Sequence, residues 1–232
     1  MDFSPLWISL KIAVCSTVIT FAAGLLAAWG VTCLRRGRHI VDGILSVPLV
    51  LPPTVVGFLL LVLFGKSTAL GRFLISRGLN LIFTWQGAVI AAFVISFPVM
   101  YRGARGAIEQ VDDNLIHAAR TLGMGEFTIL RKVILPSAWP GIAAAAVLSF
   151  ARALGEFGAT IMIAGNLPGK TQTMSVAVYT AMQGGNRQLA FRWVLIIVVF
   201  SLAILILMNY QAGRGFAKHS GNSKGGRHAT RS

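Results

Sequence analysis

Acidic residues, histidines and cysteines are the side chains that this sequence has least of. Its 232 residues include seven Asp and Glu, four His and two Cys. Cys15 and Cys33 fall in one predicted apolar helix, about 27 Å apart at about 1.5 Å per residue, so they cannot pair with each other. No C-x-x-C pair, H-E-x-x-H motif or nucleophile–base set occurs, so the sequence indicates no metal site, cofactor or intramembrane catalytic site.

Charge is scarce overall, and most of it has one sign. Charged residues make up 12% of the chain and hydrophobic residues 55%, and the mean hydropathy is +0.73, which excludes a soluble domain with a polar coat. The net charge of +14 would suit a nucleic-acid-binding protein, but a basic binding face needs a soluble domain to carry it. We therefore predict an all-α integral membrane protein in contact with membrane lipid and with no nucleic-acid partner.

Long apolar runs divide the chain into predicted spans, since about 20 helical residues cross about 30 Å of hydrocarbon. Five segments qualify: Leu6 to Leu34, Ile44 to Phe64, Trp85 to Tyr101, Trp139 to Ile163 and Phe191 to Tyr210. Pro48, Pro52 and Pro53 should kink or break the second span, which must then face protein or a cavity. Thr173 to Met182 is apolar but too short to span, so a re-entrant or interfacial helix, or a sixth crossing, stays open.

The distribution of Lys and Arg between the spans predicts the orientation of the chain. Thirteen lie in segments that are inside if the N-terminus is outside, and six lie in the outer segments. The positive-inside rule therefore favours an outer N-terminus and a cytoplasmic C-terminus. Residues 211–232 are basic and lack hydrophobic periodicity, so we predict a disordered cytoplasmic tail near anionic headgroups.

The cytoplasmic segment 102–137 carries a helical pattern of its own. Leu115, Ala118, Ala119 and Leu122 lie at helical spacing, residues 112–114 can cap the start of a helix, and Gly123 can end it. A second short helix is predicted from Glu126 to Leu135, ended by Pro136. The apolar stripes of these helices require a cover, which is either the inner ends of the spans or a partner protein.

One tripeptide, Gly169-Lys170-Thr171, invites comparison with the end of a phosphate-binding P-loop. Gly165 leaves three intervening residues where that motif needs four, Pro168 offers no N–H to a phosphate, and no strand is predicted before it. We predict that this chain does not hydrolyse ATP.

A charged pair, Arg152 and Glu156, interrupts the fourth apolar run. At i and i+4 the two side chains can neutralise each other. An unpaired charge at the membrane centre costs at least about 2.5 to 3.5 kcal/mol, so such residues normally face protein or water. The pair either lines a pathway or locks its helix to neighbouring helices, and the sequence leaves both readings open.

The stretch HAARTLGMGEFTILRKVILP resembles the cytoplasmic signature of ABC-importer permeases. Ala118, Ala119, Gly123, Leu135 and Pro136 match that signature at its spacing, whereas His117 stands where the pattern has Glu. The resemblance implies the type I importer permease fold, with residues 6–210 as the membrane domain. It also implies that this segment, with Met124, is the coupling helix that fits into a separate ATPase subunit.

Two further stretches, PLVLPPTVVG from Pro48 and FARALGEFGAT from Phe150, resemble the molybdate branch of these permeases. That resemblance implies a homodimer in a prokaryotic cytoplasmic membrane, two ABC ATPase subunits, and a periplasmic or lipid-anchored binding protein that delivers molybdate or tungstate. Sulfate or thiosulfate is the alternative cargo. An ion-coupled secondary transporter is the alternative class, because broken helices such as the second span are common there.

Overall fold

A computed structural model describes residues 2–34 and 36–224, with side chains through 204 and at 206. Within those residues every regular element is helical, which confirms the all-α prediction. The elements are α1 (Ser4–Cys33), α2 (Arg38–Val50), α3 (Pro53–Phe64), α4 (Ala69–Ser76), α5 (Trp85–Glu109), α6 (Asp113–Thr121), α7 (Glu126–Ile129), a π-helical segment (Leu130–Ile134), α8 (Leu135–Leu154), α9 (Gly158–Ala164), α10 (Met174–Gln183) and α11 (Arg187–Lys224).

Four helical stretches are long and apolar enough to cross a membrane, and a bent pair can make a fifth. The four are α1, α5, the continuous stretch Glu126–Leu154, and residues Arg187–Ile204 of α11. The fifth is α2 with α3, which are bent by 105° at their junction. These stretches correspond one to one with the five predicted spans.

Prolines break the second span as predicted, at Pro52 and Pro53. Pro52 is extended, with φ −54° and ψ 135°, and Pro53 opens α3, where a missing N–H has no helical partner to lose. Pro48 lies inside α2 without ending it. The bend lets α2 pack against α5, while α3 packs mainly against α9.

The core is formed mainly by α1, α5 and α8, and it has two ends. At one end, which we call the α6 end, buried side chains from the ends of α1 and α5 meet Ala119 of α6 and the start of α8. At the other, which we call the α10 end, the start of α5 packs with α3, α9 and α10. Small residues let the helices approach closely, since a Cβ added at Gly103 of α5 would lie 2.5 Å from the Cβ of Ala145 of α8.

The prediction of a separate second helix that ends at Pro136 is wrong. α7 continues through the π-helical segment into α8, and Pro136 lies in the first turn of α8. The Leu135 N–H donates to the carbonyl of Leu130, which is five residues back. A π turn of this kind lets the helix continue although Pro136 has no N–H, because N–H groups before the proline bond to carbonyls five residues back.

The prediction of one continuous helix from Trp139 to Ile163 is also wrong. α8 ends at Leu154, and α9 begins at Gly158 after a three-residue break that contains Glu156. The Glu156 carboxylate accepts a hydrogen bond from the N–H of Ala159 at 2.9 Å, which gives the first turn of α9 a side-chain acceptor.

Helix α11 extends beyond the predicted span end at Tyr210. Its backbone is helical through Lys224, so the part of the predicted disordered tail that the structure describes is helical. Residues 225–232 lie outside the described residues. The boundary at residue 210 between membrane domain and tail stays a prediction, as does the orientation of the termini.

Candidate functional site

Helix α6 begins and ends where its capping residues predict. The Asp112 carboxylate accepts a hydrogen bond from the N–H of Asn114 at 2.9 Å, and Asp113 in the first turn is favourable to the helix dipole. Gly123 follows the last turn with φ +75°. Its N–H donates to the Arg120 carbonyl at 2.9 Å, so the left-handed residue closes the helix as a C-terminal cap.

The two glycines of this turn serve different purposes. A Cβ added at Gly123 or Gly125 would meet nothing within 4 Å, so neither position is crowded. Gly123 is nevertheless held in the left-handed region, whereas Gly125 is extended, with φ −69° and ψ 154°. The turn therefore depends on glycine at 123 for its backbone conformation and does not depend on it at 125.

The apolar stripe of α6 is left largely uncovered in the chain. Leu115 is 51% exposed and Leu122 is 80% exposed, and Phe127, just across the turn, is 75% exposed. Ala119 alone of the predicted stripe is buried, at 5%. We call the side chains of Leu115, Leu122 and Phe127 the α6 surface. The inner ends of the spans therefore do not bury these three side chains.

An ion pair spans the glycine turn, and sequence reasoning did not find it. Arg120 Nε donates to Glu126 Oε1 at 2.8 Å, and a terminal guanidinium nitrogen donates to Oε2 at 3.2 Å. The hydrogen bond that Arg120 donates to Glu126, and then the charge of Glu126, raise the pKa of Arg120 above its ordinary value. This two-point contact ties the end of α6 to the start of α7, so the turn is braced as well as capped.

The residues matched to the permease signature divide into two groups. Ala118, Ala119 and Gly123 lie on α6 and its turn, beside the α6 surface, as does Met124, which belongs to the predicted coupling segment without matching the signature. Leu135 and Pro136 lie at the start of α8, and Leu135 packs against the α6-end core. The second group therefore belongs to the support of the turn and not to the turn itself.

A polar network joins α2 to α5 at the α6 end. Asp42 accepts a hydrogen bond from the Tyr101 hydroxyl at 2.9 Å and pairs with Arg105 at 2.6 Å. Arg105 also pairs with Glu109 at 2.7 Å, and Glu109 pairs with Arg38 of α2. These contacts fix α2 to the end of α5 from which the chain enters α6. The contacts between α2 and α5 join residues that lie far apart in the chain, so no local sequence pattern marks them.

Glu156 is buried, and protein groups occupy both of its carboxylate oxygens. Its side chain is 2% exposed, and Oε2 accepts from Arg152 Nη1 at 2.6 Å, while Oε1 accepts from the Ala159 N–H. The predicted contact of the pair is therefore present, although Glu156 lies in the break after α8. The Arg152 side chain is 35% exposed, so it keeps guanidinium N–H groups free of Glu156.

The two stretches matched to oxyanion permeases lie side by side. A Cβ added at Gly158 of α9 would meet Pro53 Cβ at 3.1 Å and Thr54 at 3.2 Å, and α9 is the main neighbour of α3. Both helix breaks, at Pro52 and at residues 155–157, therefore lie in one region of the bundle. Irregular backbone at membrane depth is tolerated where it is buried in protein or lines a cavity.

The Gly169–Thr171 tripeptide lies in the loop between α9 and α10. The N–H groups of Lys170 and Thr171 both donate to the Leu167 carbonyl, at 3.0 and 2.9 Å. They are thus used within the loop, and among the described residues no strand precedes it. A P-loop needs those N–H groups free for phosphate, so this loop is not one.

Comparison with known proteins gives one family and one fold. The family model described as "Binding-protein-dependent transport system inner membrane component" matches residues 20–214. The Molybdenum transport system permease protein ModB of Escherichia coli (strain K12) is 42% identical over 209 residues, 88% of this chain and 91% of that protein. ModB of Haemophilus influenzae is 38% identical over 221 residues, 92% of this chain and 95% of that protein.

Among solved structures, a chain of the MetNI methionine ABC transporter in an inward-facing conformation superposes with a TM-score of 0.72. It covers 90% of this chain and 94% of its own length at 20% identity, which shows a shared fold.

Proposed function

The chain belongs to the family of binding-protein-dependent transport system inner membrane components, and from that premise we propose that it is the permease subunit of an ATP-driven importer of molybdate or tungstate. The relatives named above as molybdenum permeases match about nine tenths of the chain. The stretches PLVLPPTVVG and FARALGEFGAT support the same cargo, because they resemble the molybdate branch and pack against each other around the two helix breaks.

The observation that carries this proposal is the uncovered α6 surface. Leu122 and Phe127 present large apolar side chains on either side of a capped and braced turn, at one end of the bundle. An exposed apolar patch on a rigid support is typical of a docking site. We assign this site to a separate ABC ATPase subunit, a choice supported by the Gly169–Thr171 loop, whose Lys170 and Thr171 N–H groups are used within the loop.

The coupling follows from the connections of α6 to the rest of the chain. α6 leaves the end of α5 and returns through α7 and the π-helical segment into α8, and α5 and α8 pack closely along their length. A force applied to the turn therefore acts on two central spans together. ATP-driven closure of two ATPases would draw two such turns together in a homodimer and open the pathway outward, and hydrolysis would reset it.

The remaining parts of the assembly are assigned by the same reasoning. With the α6 end in the cytoplasm, the N-terminus and the α10 end face outward, where a periplasmic or lipid-anchored binding protein would deliver the oxyanion. We place the pathway beside the paired breaks of α2–α3 and α8–α9.

We assign Glu156 the locking role, because Arg152 and the α9 backbone occupy both of its oxygens. A bare carboxylate would also repel an oxyanion. Arg152, one third exposed, is the member of the pair that can face the pathway.

Uptake by reconstituted proteoliposomes tests the proposal. Vesicles that hold the chain, its ATPase and the binding protein should accumulate labelled molybdate only with internal ATP, and excess sulfate should compete weakly. Strong competition by sulfate would instead assign the chain to sulfate. Uptake driven by a proton gradient without ATP would assign it to the secondary transporters.

A further inference from the structure

A pocket of about 400 Å³ lies at the α10 end, the opposite end of the bundle from the α6 surface. Its walls include Lys11 of α1, Trp85 at the start of α5, and Lys170 and Thr171 of the loop before α10. Two of its lining side chains are cationic and none is acidic. The Gly-Lys-Thr loop that cannot serve as a P-loop thus forms part of a basic pocket.

The pocket is shaped by contacts within the chain. The Lys11 ammonium lies 3.5 Å from the centroid of the Trp85 ring, a cation–π contact that holds the charge at the pocket wall. Phe83, also on the lining, has the left-handed φ of +59°, which is uncommon for a bulky residue. Its N–H donates to the Ile163 carbonyl at 2.9 Å, which fixes this loop to α9.

The surroundings of the pocket are those of a membrane–water interface. Trp7 is exposed on α1 one turn before Lys11, and Phe3, at the position just before α1, is exposed about two turns before it on the same face. Exposed aromatic rings of this kind sit at the level of lipid headgroups. Beyond Lys11 the same face continues with exposed Val14 and Val18, as a lipid-facing stripe does.

We propose that this pocket binds the phosphate headgroup of an anionic phospholipid whose acyl chains lie along the Val14–Val18 face of α1. Two ammonium groups supply the charge and the hydrogen-bond donors that a phosphate diester takes. Thr171 only shapes the pocket wall, because it is 1% exposed and its hydroxyl oxygen accepts a hydrogen bond from the Leu167 N–H. A free oxyanion shares that chemistry. It would, however, leave most of the pocket volume unfilled and would make no use of the apolar stripe or of the aromatic rings beside it.

Native mass spectrometry of the full chain, released from micelles that contain phosphatidylglycerol and phosphatidylcholine, tests this site. One phosphatidylglycerol should stay bound in preference to phosphatidylcholine. Lys11→Gln and Lys170→Gln should each lower its retention about fivefold, the contribution of one cation beside anionic headgroups. Lys66→Gln, which removes an equal charge from an exposed position outside the pocket, should leave retention unchanged.

Three results would overturn the proposal. The first is wild-type retention of phosphatidylglycerol by the double variant Lys11→Gln/Lys170→Gln. The second is an equal loss in Lys66→Gln, which would mean unspecific attraction to a basic surface. The third needs no variant: displacement of the bound lipid from the unmodified chain by millimolar inorganic phosphate or molybdate would assign the pocket to a free anion.

Discussion

Replacing Gly123 by valine should uncouple ATP hydrolysis from transport while leaving the chain inserted and folded. The residue has φ +75° and open space around it, so the substitution acts through the backbone and not through a clash. A left-handed conformation costs a non-glycine residue about 1 to 2 kcal/mol, and a β-branched side chain lies at or above the upper end. Because α6 contributes only Ala119 to the buried core, this strain is released most easily by a change in the turn itself.

A cost of that size corresponds to a roughly 5- to 30-fold fall in the population of the capped turn. We therefore expect transport per ATP hydrolysed to fall by up to that factor. The assay measures labelled uptake and phosphate release in the same proteoliposomes, reconstituted with ATPase and binding protein. Expression level and thermal unfolding in detergent should stay close to those of the unsubstituted chain.

Two matched variants separate backbone strain from lost interface space. Gly125→Val adds the same side chain two residues away, at an extended φ of −69° that valine adopts readily. Gly123→Asn adds bulk at the same position but tolerates the left-handed conformation. Both should retain most of the coupling. An unchanged uptake-to-hydrolysis ratio in Gly123→Val, or an equal fall in all three variants, would contradict a role for backbone strain in coupling.

Three further outcomes follow from single contacts. Glu156→Leu leaves its partly exposed partner Arg152 and the buried Ala159 N–H without their acceptor, and should lower the free energy of unfolding by roughly 1 to 3 kcal/mol. Glu156→Gln, which keeps hydrogen-bonding capacity, should cost clearly less, and equal melting temperatures of the two variants would contradict the locking role. Gly57→Ala would place a Cβ 2.7 Å from the α9 backbone and should lower the free energy of unfolding by about 1 to 3 kcal/mol. Gly43→Ala is the control, because its added Cβ meets open space. Equal thermal unfolding of the two variants would show that the α3–α9 crossing is not tight. Glu126→Gln should weaken the bridge to Arg120 and lower coupling less than Gly123→Val does, because the pair is exposed to solvent. An unchanged uptake-to-hydrolysis ratio at low salt would show that the bridge does not contribute to coupling.

Local signals explain why α6 could be predicted from the sequence. Asp112 supplies an acceptor for the first N–H groups, and Gly123 supplies the left-handed residue at the end, so both boundaries are encoded within one turn of the helix. The broken second span is local in the same sense, because Pro52 and Pro53 remove donors whatever surrounds them.

Features that depend on partners distant in the chain could not be predicted. Pro136 ends a helix by local rules, but here the π-helical segment carries the chain through it, supported by packing against the α6-end core. The bond between Tyr101 and Asp42 joins residues 59 positions apart, and no periodicity marks either of them. The break after Leu154 was missed because an i, i+4 charge pair is compatible with a continuous helix.

Labelling of Leu122→Cys with a membrane-impermeant maleimide tests most directly whether the α6 surface is a cytoplasmic docking site for the ATPase. Cys15 and Cys33 are replaced by serine so that one thiol remains. We expect labelling from the cytoplasmic side alone, and protection of the thiol when the ATPase subunit is added to form a transport-competent complex. Labelling from the outside, or full reactivity within that complex, would contradict it.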